Sequence, residues 1–292
     1  MAIINEKIIE IENLTYIYGI GTPFEKKALD GISLSVNRGE MIGIIGHTGS
    51  GKSTLVQHLN GLFKPFDGTV KIDGQDIWES KKTVRTARFK VGLCFQYPEY
   101  QLFESTVYKD IAFGPKNMGL KDDEIDKRVR TAAEFVGLSE SKLEKSPFEL
   151  SGGMKRRAAI AGVIALEPEV LILDEPTAGL DPIGRERIIE LVRNYRETTG
   201  KTVIMVSHSM DEIARFADRV LVMNKGKIEA FDTVRNIFSD SERLVSLGLG
   251  VPQVTEIFLE LKNRGINVRT DIFTVSEAKA ELLSLLKGGT AV

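Results

Sequence analysis

The sequence predicts an α/β fold built on a buried parallel sheet, with an antiparallel β subdomain, a helical subdomain and a short helical C-terminal extension. Three observations predict it. Met41-Ile42-Gly43-Ile44-Ile45 is a wholly apolar run followed by Gly46-His47-Thr48-Gly49-Ser50-Gly51-Lys52-Ser53-Thr54, which fits G-x-x-x-x-G-K-[ST] without a mismatch. Val170-Leu171-Ile172-Leu173 and Thr202-Val203-Ile204-Met205-Val206 are two more apolar runs, and each ends in polar residues, Asp174-Glu175 and Ser207-His208. Runs of this kind suit strands covered on both faces. Segments 8–14 and 32–36 instead alternate apolar and polar residues, partly or fully, as half-buried antiparallel strands do.

The bulk numbers restrict the alternatives. With 292 residues there is room for one large α/β domain and an appendage, or for two domains. The chain is 42% hydrophobic and 27% charged, ordinary for a globular protein. A net charge of −2 argues against a polyanion-binding surface, so no nucleic-acid partner is expected. The single cysteine, Cys94, leaves no intrachain disulfide and fits a reducing cytoplasm. The first residues lack the pattern of a signal peptide. The longest strongly apolar run, 158–166, is too short to span a bilayer, so the expected protein is soluble or peripheral.

Taken in order, Tyr16-Ile17-Tyr18-Gly19 leads from the first strand into a polar loop with Gly21 and Pro23. After the glycine-rich loop, Leu55, Leu59 and Leu62 recur at helical spacing. Segments 68–74 and 91–95 read as strands, the second ending at Gln96, and the basic segment 81–90 as a solvated loop. From about residue 106 to 150 the pattern is helical, with Ile125, Val129, Ala132, Ala133 and Val136 on one face and Gly137 as a stop. Ser151-Gly152-Gly153 opens a helix to residue 166, and another runs over about 184–198. Segment 219–230 reads as a hairpin turned at Asn224-Lys225-Gly226. Beyond about residue 240, Val254, Ile257, Phe258 and Leu261 form one amphipathic face, and Leu282, Leu283, Leu285 and Leu286 crowd a second. Both pieces are expected to lack a core of their own.

The glycine-rich loop is an anion site. Glycines let backbone N–H groups curl around a phosphate, and the helix that follows adds free donors and its positive dipole end. Lys52 is placed to reach β- and γ-phosphates and Ser53 to offer its hydroxyl to Mg²⁺. Asp174 and Glu175 close a strand beside that loop, where an α/β sheet gathers ligands. Asp174 is expected to hold Mg²⁺ through water and Glu175 to polarise an attacking water as general base. Ser151, Gly152 and Gly153 make a second anion site, which one nucleotide does not need from one chain. A nucleotide clamped between this turn and the phosphate loop of another protomer gives a two-fold dimer enclosing two ATP molecules.

Over residues 8–232 the sequence resembles the ATP-binding cassette (ABC) family of P-loop NTPases. Residues 46–54 resemble Walker A, Gln96 the Q-loop, Leu150-Ser151-Gly152-Gly153 the signature, residues 171–175 Walker B, Ala178-Gly179-Leu180-Asp181 the D-loop and His208 the switch histidine. The resemblance implies that Gln96 senses Mg²⁺ and the attacking water, that His208 hydrogen-bonds the γ-phosphate, and that Asp181 shapes the opposed site. It also implies an aromatic residue stacked on adenine, which is Tyr18, with Tyr16 the competing candidate. Met154 departs from the pattern, standing where the signature has Gln, and it lacks an amide's hydrogen-bonding groups.

Phe95-Gln96-Tyr97-Pro98-Glu99-Tyr100-Gln101-Leu102-Phe103 and the run from Leu150 through Met154-Lys155-Arg156-Arg157 are similar to the energy-coupling factor (ECF) transporter ATPases. The C-terminal helices match that group as well, where they help pair two ATPases. The implied protein is an ATPase at the cytoplasmic face of the cell membrane, powering uptake of a vitamin or transition-metal ion. Its implied partners are a second ABC ATPase subunit in a homo- or heterodimer, a transmembrane coupling protein and a substrate-capture membrane protein. The implied division is a nucleotide-binding domain over 1–240, with its helical subdomain at about 97–165, and a dimerisation extension over 241–292. An ATPase of another ABC transporter class and a soluble ABC ATPase are the alternatives.

Overall fold

The computed structural model describes residues 6–288. Strands β1 (Lys7–Tyr18), β2 (Lys26–Asn37), β3 (Met41–Ile45), β4 (Asp67–Ile72), β5 (Gln75–Asp76), β6 (Val91–Cys94), β7 (Val170–Asp174), β8 (Thr202–Val206), β9 (Arg219–Asn224) and β10 (Lys227–Thr233) build two sheets. The first is antiparallel, in the order β2-β1-β4-β5. The second has the order β10-β9-β3-β8-β7-β6 and is parallel apart from the β9–β10 hairpin. Pairing continues along β1 as far as Tyr18, opposite Lys26, so the tyrosines lie in the sheet and not in a connecting loop.

The apolar runs have a direct physical cause. Every residue of β3, β7 and β8 is buried. Met41, Ile45, Leu171, Leu173, Val203 and Met205 face a core shared with the helices, while Ile42, Ile44, Val170, Ile172, Ile204 and Val206 face a core shared with the antiparallel sheet. Successive side chains point to opposite faces. With both faces covered, no polar residue is tolerated in between. The register sets Leu173 opposite both Cys94 and Met205, Asp174 opposite Val206, and Ile44 opposite Val206. The chain therefore leaves β3, β6, β7 and β8 along one edge. Gly46, Gln96, Glu175 and His208 all leave there.

Helix α1 (Lys52–Leu59) follows the glycine-rich loop and ends at Asn60, so Leu62 falls outside it and is 43% exposed, one turn beyond the helix that its spacing predicted. The basic segment is not a loop but helix α2 (Lys81–Lys90). Ser80 Oγ accepts from the Thr83 N–H while the Ser80 N–H donates to Thr83 Oγ1, and this capping box sustains a helix that buries only Ala87. The helical insert consists of α3 (Val107–Met118), α4 (Asp122–Phe135), the short α5 (Glu140–Leu143) and α6 (Gly152–Ile164). Ile125, Val129, Ala132 and Ala133 are buried on α4 as their spacing predicts. Helices α7 (Pro182–Thr199) and α8 (Met210–Phe216) connect the last parallel strands.

In α9 (Val234–Ser239), α10 (Ser241–Ser246) and the turn after them, Ile237, Phe238, Leu244, Leu249 and Val251 enter the larger core. Helices α11 (Gln253–Asn263) and α12 (Val275–Gly288) do have a small core of their own, contrary to expectation. Phe258, Val268, Ile272 and Ala278 are buried together, with Val254, Leu261 and Leu285 packed against them. Val268 and Ile272 lie between the helices, where helical periodicity cannot reveal them. Ile257, Leu282, Leu283 and Leu286 remain exposed.

Cys94 is fully buried, and burial pushes its thiol up to about 12, opposed by Arg156 and aided by Glu99 and Asp174. The thiolate is the reactive form, so Cys94 of the folded protein is expected to resist a thiol reagent at about pH 8 and to react on unfolding. Rapid labelling of the folded protein, read by absorbance, would contradict this burial.

Candidate nucleotide site

Two glycines of the loop occupy places no side chain could enter. A Cβ on Gly46 would stand 2.3 Å from the Met223 carbonyl oxygen, and one on Gly51 2.7 Å from that of Ala28, with φ of +150° and +106°. The hairpin β9–β10 and strand β2 thus press the loop into shape from outside. Gly46, Ser50, Gly51 and Lys52 are buried, whereas His47, Thr48, Gly49 and Ser53 are exposed at the rim. Lys52 Nζ donates to the carbonyls of Gly46 (2.6 Å) and His47 (2.9 Å), so the amine lies across the loop. Burial lowers the Lys52 pKa, while the charges of Glu175 and Asp174 oppose the shift. The buried Ser50 Oγ has no hydrogen-bond partner among the described residues. A cradle of this shape, with an inward amine and an unmatched hydroxyl, fits a phosphate chain.

Asp174 closes β7 and is 5% exposed. Burial raises its pKa and the neighbouring Glu175 charge adds to the rise. A hydrogen bond with Ser53 and the Lys52 charge oppose it. This hydroxyl–carboxylate pair supplies the hard oxygen donors that Mg²⁺ takes. Among the described residues no cluster of three or more His, Cys, Asp or Glu could hold a metal, so phosphate and water would complete any Mg²⁺ shell here.

Glu175 has φ +51°, a left-handed conformation that costs a non-glycine residue roughly 1 kcal/mol. Its N–H donates to the Val206 carbonyl (2.9 Å), which continues the β7–β8 ladder by one residue while the side chain turns away. The carboxylate is held from both sides, by Gln96 Nε2 on Oε2 at 2.9 Å and His208 Nε2 on Oε1 at 2.8 Å. Glu175 and His208 line an open cleft of about 280 Å³ with Thr177, Arg185 and Ser207. The structure thus brings together Lys52, Ser53, Gln96, Asp174, Glu175 and His208.

The remaining predicted residues lie elsewhere. Tyr18 borders the loop, its hydroxyl 3.2 Å from Thr54 Oγ1, and is 37% exposed. Tyr16 is half-buried, stacked on Phe63 at 5.2 Å with the His58 ring 4.6 Å away. Ser151, Gly152 and Gly153 are exposed and, among the described residues, make no hydrogen bond to the phosphate loop or to Glu175. A Cβ on Gly152 or Gly153 would meet nothing within 4 Å, so no packing contact among the described residues requires glycine there. Asp181 caps α7, accepting from the Gly184 N–H at 2.7 Å. Met154 packs its side chain on the larger core. His47 bonds to the Leu247 carbonyl, so the segment after α10 touches the loop.

Sequence reasoning missed two supports of this site. Glu212, 5% exposed, accepts from Ser207 Oγ (2.7 Å) and Thr177 Oγ1 (3.1 Å), tying the segment before His208 to the one after Glu175. Arg156, 2% exposed, joins Glu99 to the carbonyls of Pro176 and Ala178. Its spacing was a usable signal, since Arg156 falls four residues before Ile160, on the buried side of α6.

This fold and edge constellation are those of an ABC-type ATPase, and the chain belongs to the ABC transporter family, whose profile matches residues 29–178. Within that family it falls in the energy-coupling factor branch. It is 52% identical over 280 residues to the energy-coupling factor transporter ATP-binding protein EcfA2 of Caldanaerobacter subterraneus subsp. tengcongensis, covering 96% of this chain and 98% of that one. It is 54% identical to EcfA2 of Clostridium perfringens over the same shares. Among solved structures it resembles cbiO1 of Clostridium perfringens, part of the ABC transporter complex cbiONQ, with a TM-score of 0.72 and 40% identity over 83% of this chain and 94% of that one. It also resembles the dimeric cassette MJ0796 in a post-hydrolysis state bound to ADP and Pi, with a TM-score of 0.69 and 30% identity over 78% and 99%. The protein is an ATPase that binds ATP and couples hydrolysis to transport.

Gly46→Ala places a methyl against the Met223 carbonyl. It is expected to lower the melting temperature and to abolish the further stabilisation that ATP gives the wild-type protein. Undiminished stabilisation by ATP in a melting assay would show that the loop tolerates a side chain there.

Proposed function

We propose that this chain is the ATP-hydrolysing subunit of an ECF-type importer of a vitamin or transition-metal ion, acting at the cytoplasmic face of the membrane. The observation that carries the chemistry is the Glu175 carboxylate, held by Gln96 and His208 beside the phosphate loop. Lys52 and the backbone N–H groups of residues 46–54 bind the β- and γ-phosphates, with Ser50 Oγ turned to the same anion. Ser53 and Asp174 hold Mg²⁺, which neutralises charge on the phosphate oxygens when bound. Glu175 accepts the proton of the attacking water as general base. His208 donates to the γ-phosphate and Gln96 keeps the carboxylate aimed at the water. Tyr18 stacks on adenine, and its exposure beside Thr54 favours it over Tyr16, whose ring is already stacked on Phe63.

The exposed Ser151-Gly152-Gly153 turn contacts the nucleotide of a second ATPase subunit, and Asp181 lies at the same dimer face. Two glycines with open space where a side chain would stand support this reading, as does the dimer formed by MJ0796. ATP closes the dimer and hydrolysis reopens it. The motion passes to a transmembrane coupling protein docked in a groove of about 370 Å³ lined by Leu102, Phe103, Phe113, Val163 and Leu166. Phe103 and Phe113 meet edge to face at 5.0 Å and are 61% and 45% exposed, a surface that suits an apolar helix. Among the described residues no helix is long and apolar enough to cross a membrane. Attachment therefore runs through the coupling protein, and selectivity through a substrate-capture membrane protein. The nucleotide-binding domain spans 1–240 with its helical subdomain at about 97–165, and residues 241–292 extend the dimer contact through the exposed leucines of α12.

Glu175→Gln keeps the shape but removes the base. Steady-state phosphate release is expected to fall by about 10²–10⁴-fold while an ATP-bound dimer accumulates on gel filtration. Hydrolysis at the wild-type rate would sink the general-base role. Tyr18→Ala is expected to weaken ATP binding by about 1–3 kcal/mol in calorimetry, the scale of base–aromatic stacking. Tyr16→Ala should chiefly lower the melting temperature; the reverse pattern would make Tyr16 the adenine contact.

A further inference from the structure

The largest of the fully buried side chains among the described residues carries a charge. Arg156 of α6 is 2% exposed, and its guanidinium makes four hydrogen bonds to two distant segments. Nε and Nη2 grip the Glu99 carboxylate at 3.0 and 2.7 Å, and Nη1 donates to the carbonyls of Pro176 (3.1 Å) and Ala178 (2.7 Å). Glu99 belongs to the single helical turn Pro98–Gln101, and Pro176 directly follows Glu175. Burial pushes the Glu99 carboxyl up, but the Arg156 hydrogen bond, Glu99's own N–H and the Arg156 charge outweigh it and hold it below its usual range. The pair is therefore ionised, and the planar fork is matched at both ends.

The consequence lies in how the two segments are joined. Gln96 on Glu175 is one link between segment 96–101 and segment 174–178, and Glu99–Arg156–Pro176/Ala178 is a second. Segments joined at one point pivot about it, whereas segments joined at two move together. The second link passes through α6, five residues along from Ser151. The groove is bordered by the same two elements, by Gln101 and Leu102 on one side and Ala158, Ala159 and Gly162 on the other.

We propose that Arg156 is a positioning residue that locks the Glu99 turn and the Ser151-Gly152-Gly153 helix to the backbone beside Glu175, so that groove occupancy and the opposed nucleotide set the aim of that carboxylate. The proposal rests on the reading of Glu175 as general base. It makes the rate of hydrolysis depend on Arg156, while ATP affinity, which rests on the phosphate loop, does not.

The test measures ATP hydrolysis by the full chain purified with its native membrane partners. Arg156→Lys keeps the charge but cannot bridge all four oxygens. It is expected to lower kcat about tenfold with KM for ATP within about twofold of wild type. In the Gln96→Ala background, where the first link is gone, the same change is expected to lower kcat by less than about threefold, because both links serve one alignment. Glu99→Gln breaks the fork from the other side and is expected to repeat the pattern, which keeps the test open should the lysine variant not fold. An unchanged kcat, a loss confined to KM, a loss matched by the fraction unfolded in melting curves, or full multiplication with Gln96→Ala overturns the proposal. Glu175→Gln run alongside separates the two levels. Its inactivity together with a fully active Arg156→Lys removes only the positioning role, while its full activity removes the general-base reading and this proposal with it.

Discussion

Everything at the nucleotide edge depends on short strands buried on both faces. Such a strand confines polar residues to its ends, so the polar residues at its C-terminal end mark the place where it leaves the core. In β3, β7 and β8 that place is Gly46, Asp174-Glu175 and Ser207-His208. Pairing in register then does the assembly. Leu173 beside Cys94 and Asp174 beside Val206 bring three loops to one edge without any side chain recruiting another. The left-handed turn at Glu175 completes the arrangement by sending its carboxylate to Gln96 and His208 while its N–H stays in the ladder. The strain is small and is held by interactions on both sides of the residue.

A second layer of polar contacts gives those loops fixed relative positions. Glu212 and Arg156 are buried polar side chains, which an interior tolerates at low cost only when they are hydrogen-bonded. Glu212 joins the segments around Thr177 and Ser207, and Arg156 joins the Glu99 turn to the backbone at Pro176 and Ala178. Each connects segments that apolar packing alone would leave free to slide. Apolar contacts are non-directional, whereas a guanidinium fork against a carboxylate specifies both distance and angle.

The two ends of the chain follow different rules. The phosphate loop is shaped from outside by the Met223 and Ala28 carbonyls, so its glycines answer to the fold as much as to a ligand. Gly152 and Gly153 answer to nothing within the chain. Their openness, and the exposure of Ile257, Leu282, Leu283 and Leu286 on the C-terminal helices, lie on surfaces that this chain does not itself cover.

By itself the sequence determined the α/β class, the apolar strands of the parallel sheet and the residues at their polar ends, because burial on both faces and glycine geometry leave a signature within a few consecutive residues. It also carried the family, through motifs whose order and spacing are local facts. It misread the segment 81–90 because a short helix rich in Lys and Arg that buries only Ala87 looks, as a sequence, like a solvated stretch. It missed the C-terminal core because Val268 and Ile272 come from between two helices. Only the tertiary structure decided that Tyr18 is exposed beside the loop while Tyr16 packs half-buried on Phe63, that Gln96 and His208 flank one carboxylate, and that Arg156 joins Glu99 to the backbone at Pro176 and Ala178. Each of those depends on which strands are neighbours and in what register. That is a matter of long-range packing, which no window of neighbouring residues contains.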